Sequence, residues 1–325
     1  MKTRDLISTG YLGSVDAAVQ IRELVGDPHS GAGGRAYSVT LAGGLSFEVL
    51  PERGLDIGAV WFAGQPMAWR SAFGNPGPTT NTTEWIGRFG GGLLVTCGLE
   101  NIGVARGDLP QHGTHHDTRA HDVAVRRVTA ADGSPGVEIT GTVDSLQVFG
   151  RRVRLHRTIT SFADDPAVHV ADRIVNEGAW DASVALLYHI NFGAPLVLPG
   201  TRIEVAAATH EIRELSDAAD DWSTYPGPVD RPIEAVWVHR GLETADGVAT
   251  ARVVAPDGTV AEVSWGVAEL PDLVQWTFPA RDSWALGIEP ANAPMWGPVR
   301  DAEGSGMRVL APGDEFTTSL TVRFG

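Results

Sequence analysis

The 325-residue chain is 43% hydrophobic and 20% charged, and 25 basic against 40 acidic residues leave a formal charge of −15. That hydrophobic share can build a core and excludes wholesale disorder, while the acidic balance argues against nucleic acid as the main partner, which needs clustered Lys and Arg. No apolar run reaches the ~18 residues of a membrane-spanning helix, the start MKTRDLISTGYLG lacks a secretory apolar stretch, and a lone Cys97 allows no internal disulfide, so a cytoplasmic protein without membrane contact is expected.

In chain order the predicted elements are mostly strands. Ser14–Leu24 (SVDAAVQIREL) offers a capping serine and Ala17, Ile21 and Leu24 at helical spacing, which predicts a short helix within an N-terminal helix-and-strand extension over residues 1–35. Leu45–Leu50 and Asp56–Phe62 read as strands around the turn-prone Pro51–Gly54. Ala124–Thr129 and Gly136–Val143 flank a DGSP turn. In Arg152–Phe162, Val153, Leu155 and Ile159 share a face; in Ala167–Asn176, Val168, Val170 and Ile174 oppose His169 and Arg173. Ser183–Phe192 is a more continuous apolar run, as expected of a strand covered on both faces. Asp217–Asp221 reads as one further helical turn. ARVVAPDGTVAEVSW predicts a hairpin with Asp257-Gly258 at its turn, and Gln275–Phe278, Trp284–Ile288 and Phe316–Phe324 complete the series. Glycine and proline, 39 and 20 residues, are spread along the chain, and neither a repeat nor a linker divides it. About fifteen short strands therefore predict an all-β chain, one large antiparallel β-sandwich domain over residues 1–325 with a few short helices.

Chemistry-bearing residues are unevenly placed. His112, His115, His116 and His121 crowd QHGTHHDTRAHD, with Asp117 and Asp122 between them. Imidazole and carboxylate ligate divalent ions, but this spacing matches no zinc motif, and a solvated polar loop is the plainer reading. Gly87–Asn101 lacks both GK[ST] and G-x-G-x-x-G, so its glycines point to close backbone approach rather than nucleotide binding. His189 lies inside the apolar LLYHINFGAP, where an imidazole needs a reason: a satisfied core histidine or a proton-transfer group. Glu289 follows WALGI in IEPAN, where a strand end suits a base tuned by partial burial or an ordinary solvent-facing carboxylate. The 10 tryptophans fill cores or stack on sugar C–H faces.

Taken together, ERGLDIGAVWFAGQPMAWRS (Glu52–Ser71), FGGGLLVTCGLENIG (Phe89–Gly103), LPQHG (Leu109–Gly113), DRIVNEG (Asp172–Gly178), LLYHINFGAP and LGIEPAN resemble the aldose 1-epimerase (galactose mutarotase) superfamily, and within it the DUF4432 group. The resemblance implies a β-supersandwich and an isomerase of sugar anomers that needs no cofactor. In that family a glutamate removes the anomeric hydroxyl proton while a histidine protonates the ring oxygen. Carried over, Glu289 is the base, His189 the acid, and His112 binds and polarises the substrate. Substrate binding falls to Arg53, preferred over Arg88 as the family's arginine, with Asn101 and Trp276. Trp296 and Glu100 are further candidates, and Asp221 and Asp230 both stand for the family's aspartate. Two other readings compete: a keto-sugar or glycoside isomerase or lyase at the same His/Glu site, helped by a metal at His112–Asp122, and a sugar-binding protein without catalysis. No arginine cluster is evident, which favours an unphosphorylated carbohydrate, and a free sheet edge leaves room for a homodimer.

Overall fold

The computed structural model describes residues 1–26, 34–72, 84–213, 220–231, 234–302 and 304–325. Among these, the strands are β1 (Val19–Val25), β2 (Arg35–Leu41), β3 (Leu45–Leu50), β4 (Asp56–Phe62), β5 (Gln65–Pro66), β6 (Leu94–Leu99), β7 (His121–Thr129), β8 (Pro135–Leu146), β9 (Arg152–Phe162) and β10 (Asp165–Asn176). They continue as β11 (Ala182–Phe192), β12 (Arg202–Val205), β13 (Ala207–Ile212), β14 (Ala235–Leu242), β15 (Val248–Val254), β16 (Val260–Gly266), β17 (Asp272–Ala280), β18 (Ser283–Ala291), β19 (Arg308–Leu310) and β20 (Glu315–Phe324). Helices are short: α1 (Thr3–Ser8), α2 (Pro298–Asp301) and isolated 3₁₀ turns. Among the described residues no helix is long and apolar enough to cross a membrane.

The strands form two antiparallel sheets, as the alternation in the sequence predicts. The twelve-stranded sheet runs β1-β2-β3-β4-β6-β11-β18-β17-β14-β13, with β19 beside β11 and β5 beside β4; the eight-stranded sheet runs β12-β15-β16-β20-β10-β9-β8-β7. Period-2 alternation decides what meets between them. Leu186, Tyr188 and Ile190 of β11 and Leu286 and Ile288 of β18 share the core with Val153, Leu155 and Ile159 of β9 and Val168, Val170 and Ile174 of β10. Each such buried aliphatic side chain contributes ~1.5–3 kcal/mol.

Arg157 of β9 is buried in this apolar layer. Its Nε and Nη2 donate to the two carboxylate oxygens of Asp172 (2.9 and 2.7 Å), and Nη1 donates to Asp56 Oδ1 (2.6 Å). Thr96 Oγ1 accepts from Nη2 at 2.8 Å, and Tyr188 donates its hydroxyl to Asp172 Oδ2 at 2.7 Å. Burial alone would lower the Arg157 pKa, but Asp172 and Asp56 reverse that and hold the group cationic. The network ties β4, β6 and β11 of one sheet to β9 and β10 of the other.

One predicted element is corrected. Ser14 does cap a turn, its Oγ accepting from the Asp16 amide at 3.1 Å, but the helical turn covers only Val15–Ala17. Val19–Val25 instead pairs with β2 as the edge strand, because β-branched Val19 and Ile21 gain a partner strand and Val19 is buried. The turn expected at Asp217–Asp221 lies largely outside the described residues.

Candidate active site

Alternation that sends Tyr188 and Ile288 into the core sends their neighbours to the outer face of the large sheet. There Val95, Leu187, Val238, Val274 and Ala291 form a second apolar cluster. The Leu187–Ala291 and Ile190–Ile288 cross-strand pairs bracket His189 of β11 and Glu289 of β18, which therefore stand side by side. Their outer neighbours are Val95, paired with His189, and Val274, paired with Glu289. His189 Nε2 lies 3.3 Å from Glu289 Oε1, and the two residues are only 4% and 1% exposed. Gly287 makes the room: a Cβ there would lie 2.4 Å from Glu289 Oε1 and 3.3 Å from His189 Cε1.

A cavity of about 210 Å³ is lined by this pair, His112, Trp85, Trp276 and others. His112 arrives on the loop after β6, its amide donating to Gly103 O (2.9 Å) and its carbonyl accepting from the Gly98 amide (3.0 Å). At φ +59° His112 holds a backbone conformation that favours glycine, and its ring lies 4.5 Å from that of Trp85 and 6.1 Å from that of His189.

Electrostatics follow from burial. Burial raises the Glu289 pKa well above its ordinary value, and the charge of Glu234 adds to the effect. Burial pushes His189 well below its ordinary value, with His112 acting in the same direction, and lowers His112 to about 4. Burial thus favours the neutral form of each group. Glu289 Oε1, His189 Nδ1 and His112 Nδ1 are buried without a hydrogen-bond partner among the described residues. Native structures rarely leave such atoms unpaired unless a ligand or water serves them.

Trp276 and Trp296 also line the cavity, and Trp276 donates its indole N–H to Glu234 Oε2 at 2.9 Å. Glu234 and Arg213, 3.5 Å apart and partly exposed, are cavity residues absent from the sequence reading. Glu234 had a usable signal, since it shares its parity with the outward-facing Val236 and Val238; Arg213, just past the end of β13, had none.

Other expected binding residues are not brought to the cavity. Arg53 lies 3.1 Å from Asp117 Oδ1 and donates to Arg88 O at 3.0 Å, while Arg88 pairs with Asp117 Oδ2 and approaches His116 Nε2 at 3.4 Å. Both guanidinium groups are thus engaged by Asp117, not by the cavity wall. Asn101 donates to Val104 O (3.1 Å) and Pro110 O (2.7 Å) and accepts from Arg300, so it braces the loop that carries His112. Glu100 accepts from Thr114 Oγ1 at 2.7 Å, Asp221 caps Ser223 and Asp230 pairs with Arg281; none of the three lines the cavity. The four clustered histidines diverge: His112 faces the cavity, His116 faces Asp117, His115 packs beside Gly54, and His121 meets Asp122 and Asp144 at the surface. Among the described residues no three His, Cys, Asp or Glu side chains are arranged to hold a metal ion.

Similarities to known proteins bear on the family and the fold. A family described as "Domain of unknown function (DUF4432)" matches residues 31–324. A proposed aldose 1-epimerase from Klebsiella pneumoniae subsp. pneumoniae MGH 78578 superposes with a TM-score of 0.84 at 20% identity, over 94% of this chain and 83% of that one. A galactose mutarotase-like protein from Clostridium acetobutylicum gives 0.64 at 13% identity, over 95% and 99% of the two chains. Galactose 1-epimerase from Lactobacillus acidophilus NCFM gives 0.61 at 13% identity, again over 95% and 99%. At these identities the likeness is one of fold. A curated S-adenosyl-L-methionine-dependent uroporphyrinogen III methyltransferase from Methanosarcina barkeri (strain Fusaro / DSM 804) is 29% identical over 133 residues, 37% of this chain. The match takes in 51% of that relative, so the chain spans about half its length.

Proposed function

Because the chain belongs to the DUF4432 family and has the fold of aldose 1-epimerases, we propose that it interconverts the anomers of a sugar or sugar derivative. One observation carries the reading: an acid/base pair 3.3 Å apart shares a cavity with His112, and all three bear buried polar atoms without partners. Hydroxyl groups of a sugar are the natural partners for such atoms.

In this reading the reacting complex has an ionised Glu289 and a protonated His189. That state holds the same number of protons as the neutral pair. Glu289 takes the proton of the anomeric hydroxyl while His189 gives one to the ring oxygen; the C1–O5 bond breaks and C1 becomes a carbonyl. Glu289 is then protonated and His189 neutral, the arrangement that burial favours, so burial assists ring opening. Rotation about C1–C2 and reversal of both transfers give the other anomer. Each proton-transfer group typically supplies ~10²–10⁴-fold.

His112, neutral because burial lowers it to about 4, acts as a hydrogen-bonding imidazole. Trp276 and Trp296 offer apolar faces to sugar C–H groups. Arg213 is balanced by Glu234 at 3.5 Å, which favours a neutral sugar over a phosphorylated one. The test is NMR of a freshly dissolved single anomer. The protein is expected to accelerate relaxation, and Glu289→Gln to abolish the acceleration. Saturable sugar binding with no acceleration would instead make this a binding protein.

A further inference from the structure

We propose that the reacting sugar is the reducing-end unit of a larger carbohydrate, whose second ring occupies a groove beside the catalytic cavity. The inference rests on the anomeric reading above. The groove holds about 670 Å³ and shares Arg213 and Trp296 with the cavity of about 210 Å³. The reacting groups lie almost fully buried in the small cavity, whereas the groove is open, with Ile212 and Val299 42% and 61% exposed. A ligand seated on His189 and Glu289 therefore has a second, larger space adjoining the first.

The chemistry of the groove selects its occupant. Ile212, Pro294, Pro298 and Val299 give apolar faces. Arg240 stands between two carboxylates, 3.2 Å from Asp272 Oδ1 and 3.6 Å from Glu211 Oε2, and with Arg213 on the same wall the charged residues of the groove balance, two of each sign. A phosphate or other anion finds both guanidinium groups already engaged by carboxylates, Arg213 by Glu234 and Arg240 by Asp272. A wholly apolar ligand would desolvate the ion pairs without replacing their water. A pyranose ring meets both demands, with C–H faces for the apolar residues and hydroxyls for the carboxylates and Arg240. Trp296, on the shared wall, has the Arg213 guanidinium 5.6 Å from its ring centroid, so its position is braced where the two spaces meet. Anomeric exchange needs a free O1 on the reacting unit, so the second ring is joined through one of that unit's other hydroxyls.

The test compares reducing disaccharides with their component monosaccharides by exchange NMR. At least one disaccharide is expected to show kcat/KM higher by about tenfold or more, the scale of one or two charge-assisted hydrogen bonds. Arg240→Ala is expected to erase that advantage through KM. Monosaccharides matching every disaccharide, or an Arg240→Ala loss equal for both, would overturn the proposal. The same panel is titrated against Glu289→Gln by tryptophan fluorescence. No binding preference for disaccharides there sinks the groove even if exchange is observed. A preference without exchange by the wild-type protein sinks the anomeric reading and keeps the groove as a disaccharide site.

Discussion

Trp276 and Glu234 are joined by a hydrogen bond of 2.9 Å, so a tryptophan lining the cavity also fixes a second carboxylate beside Glu289. After burial, the charge of that carboxylate is the next reason why Glu289 keeps its proton. Glu234→Gln keeps the shape and removes the charge, so the Glu289 pKa falls. The productive pair carries one proton, which Glu289 holds more tightly than His189, so Glu289 sets the alkaline limb of the kcat/KM profile, and that limb is expected to move to lower pH. A limb that stays put would mean that Glu289 is not the titrating base.

Acid should destabilise the protein through its buried imidazoles. His112 and His115 are held at about 4 and about 3, chiefly by burial, against an ordinary 6.5. Above 6.5 both states are neutral and the stability is fully present. As pH falls below 6.5 the unfolded chain binds protons that the native state refuses, so stability is lost down to the folded pKa values. Each such histidine contributes a slope of about 1.4 kcal/mol per pH unit. Urea melts at pH 7 and pH 5 should show the loss, and His112→Gln should make it shallower.

Gly287→Ala tests the packing around the acid/base pair. The new Cβ would fall 2.4 Å from Glu289 Oε1, so the carboxyl must shift. Displacement of this size at a reacting group costs on the order of 10²-fold in rate. Anomer exchange is expected to fall by that factor while circular dichroism stays unchanged; a fully active variant would show that the carboxyl position is immaterial.

Arg157→Met should be severe despite its distance from the cavity. It leaves Asp56 and Asp172 buried with no cation between them. Breaking one side of a buried ion pair costs about 3–5 kcal/mol, to be read from the denaturation midpoint. A loss under about 1 kcal/mol would mean that the network is not a stabilising tie.

The legible parts of the fold were those specified locally. Leu45–Leu50, Asp56–Phe62 and Arg152–Phe162 match β3, β4 and β9 because alternation or a flanking turn marks each end. β1 was hidden, since Ala17, Ile21 and Leu24 sit at helical spacing and only the distant β2 decides otherwise. β6 was masked by Gly98 and the glycines before the strand, and Gly98 serves close approach as anticipated: at φ +134°, a Cβ there would meet Ala185 O at 2.4 Å. His112, His189, Glu289 and Trp276, named from the sequence, line one cavity. Arg53 and Arg88, expected at the substrate, pair with Asp117 away from the cavity wall, and that pairing leaves no trace in any local pattern. Arg213 arrives by packing alone.

Tyr188 and His189 are adjacent on β11 and face opposite ways, one hydrogen-bonded to Asp172 in the interior, the other lining the cavity. A slip of β11 by one residue would exchange those faces, putting a phenol into the cavity wall and an imidazole into the hydrocarbon layer. The tyrosine tether therefore doubles as a registration pin for the face that lines the cavity. Thermal hardening of this protein belongs on strands remote from that pin, such as β12 or β7, whereas redesign of what it accepts belongs on the Pro294–Val299 rim.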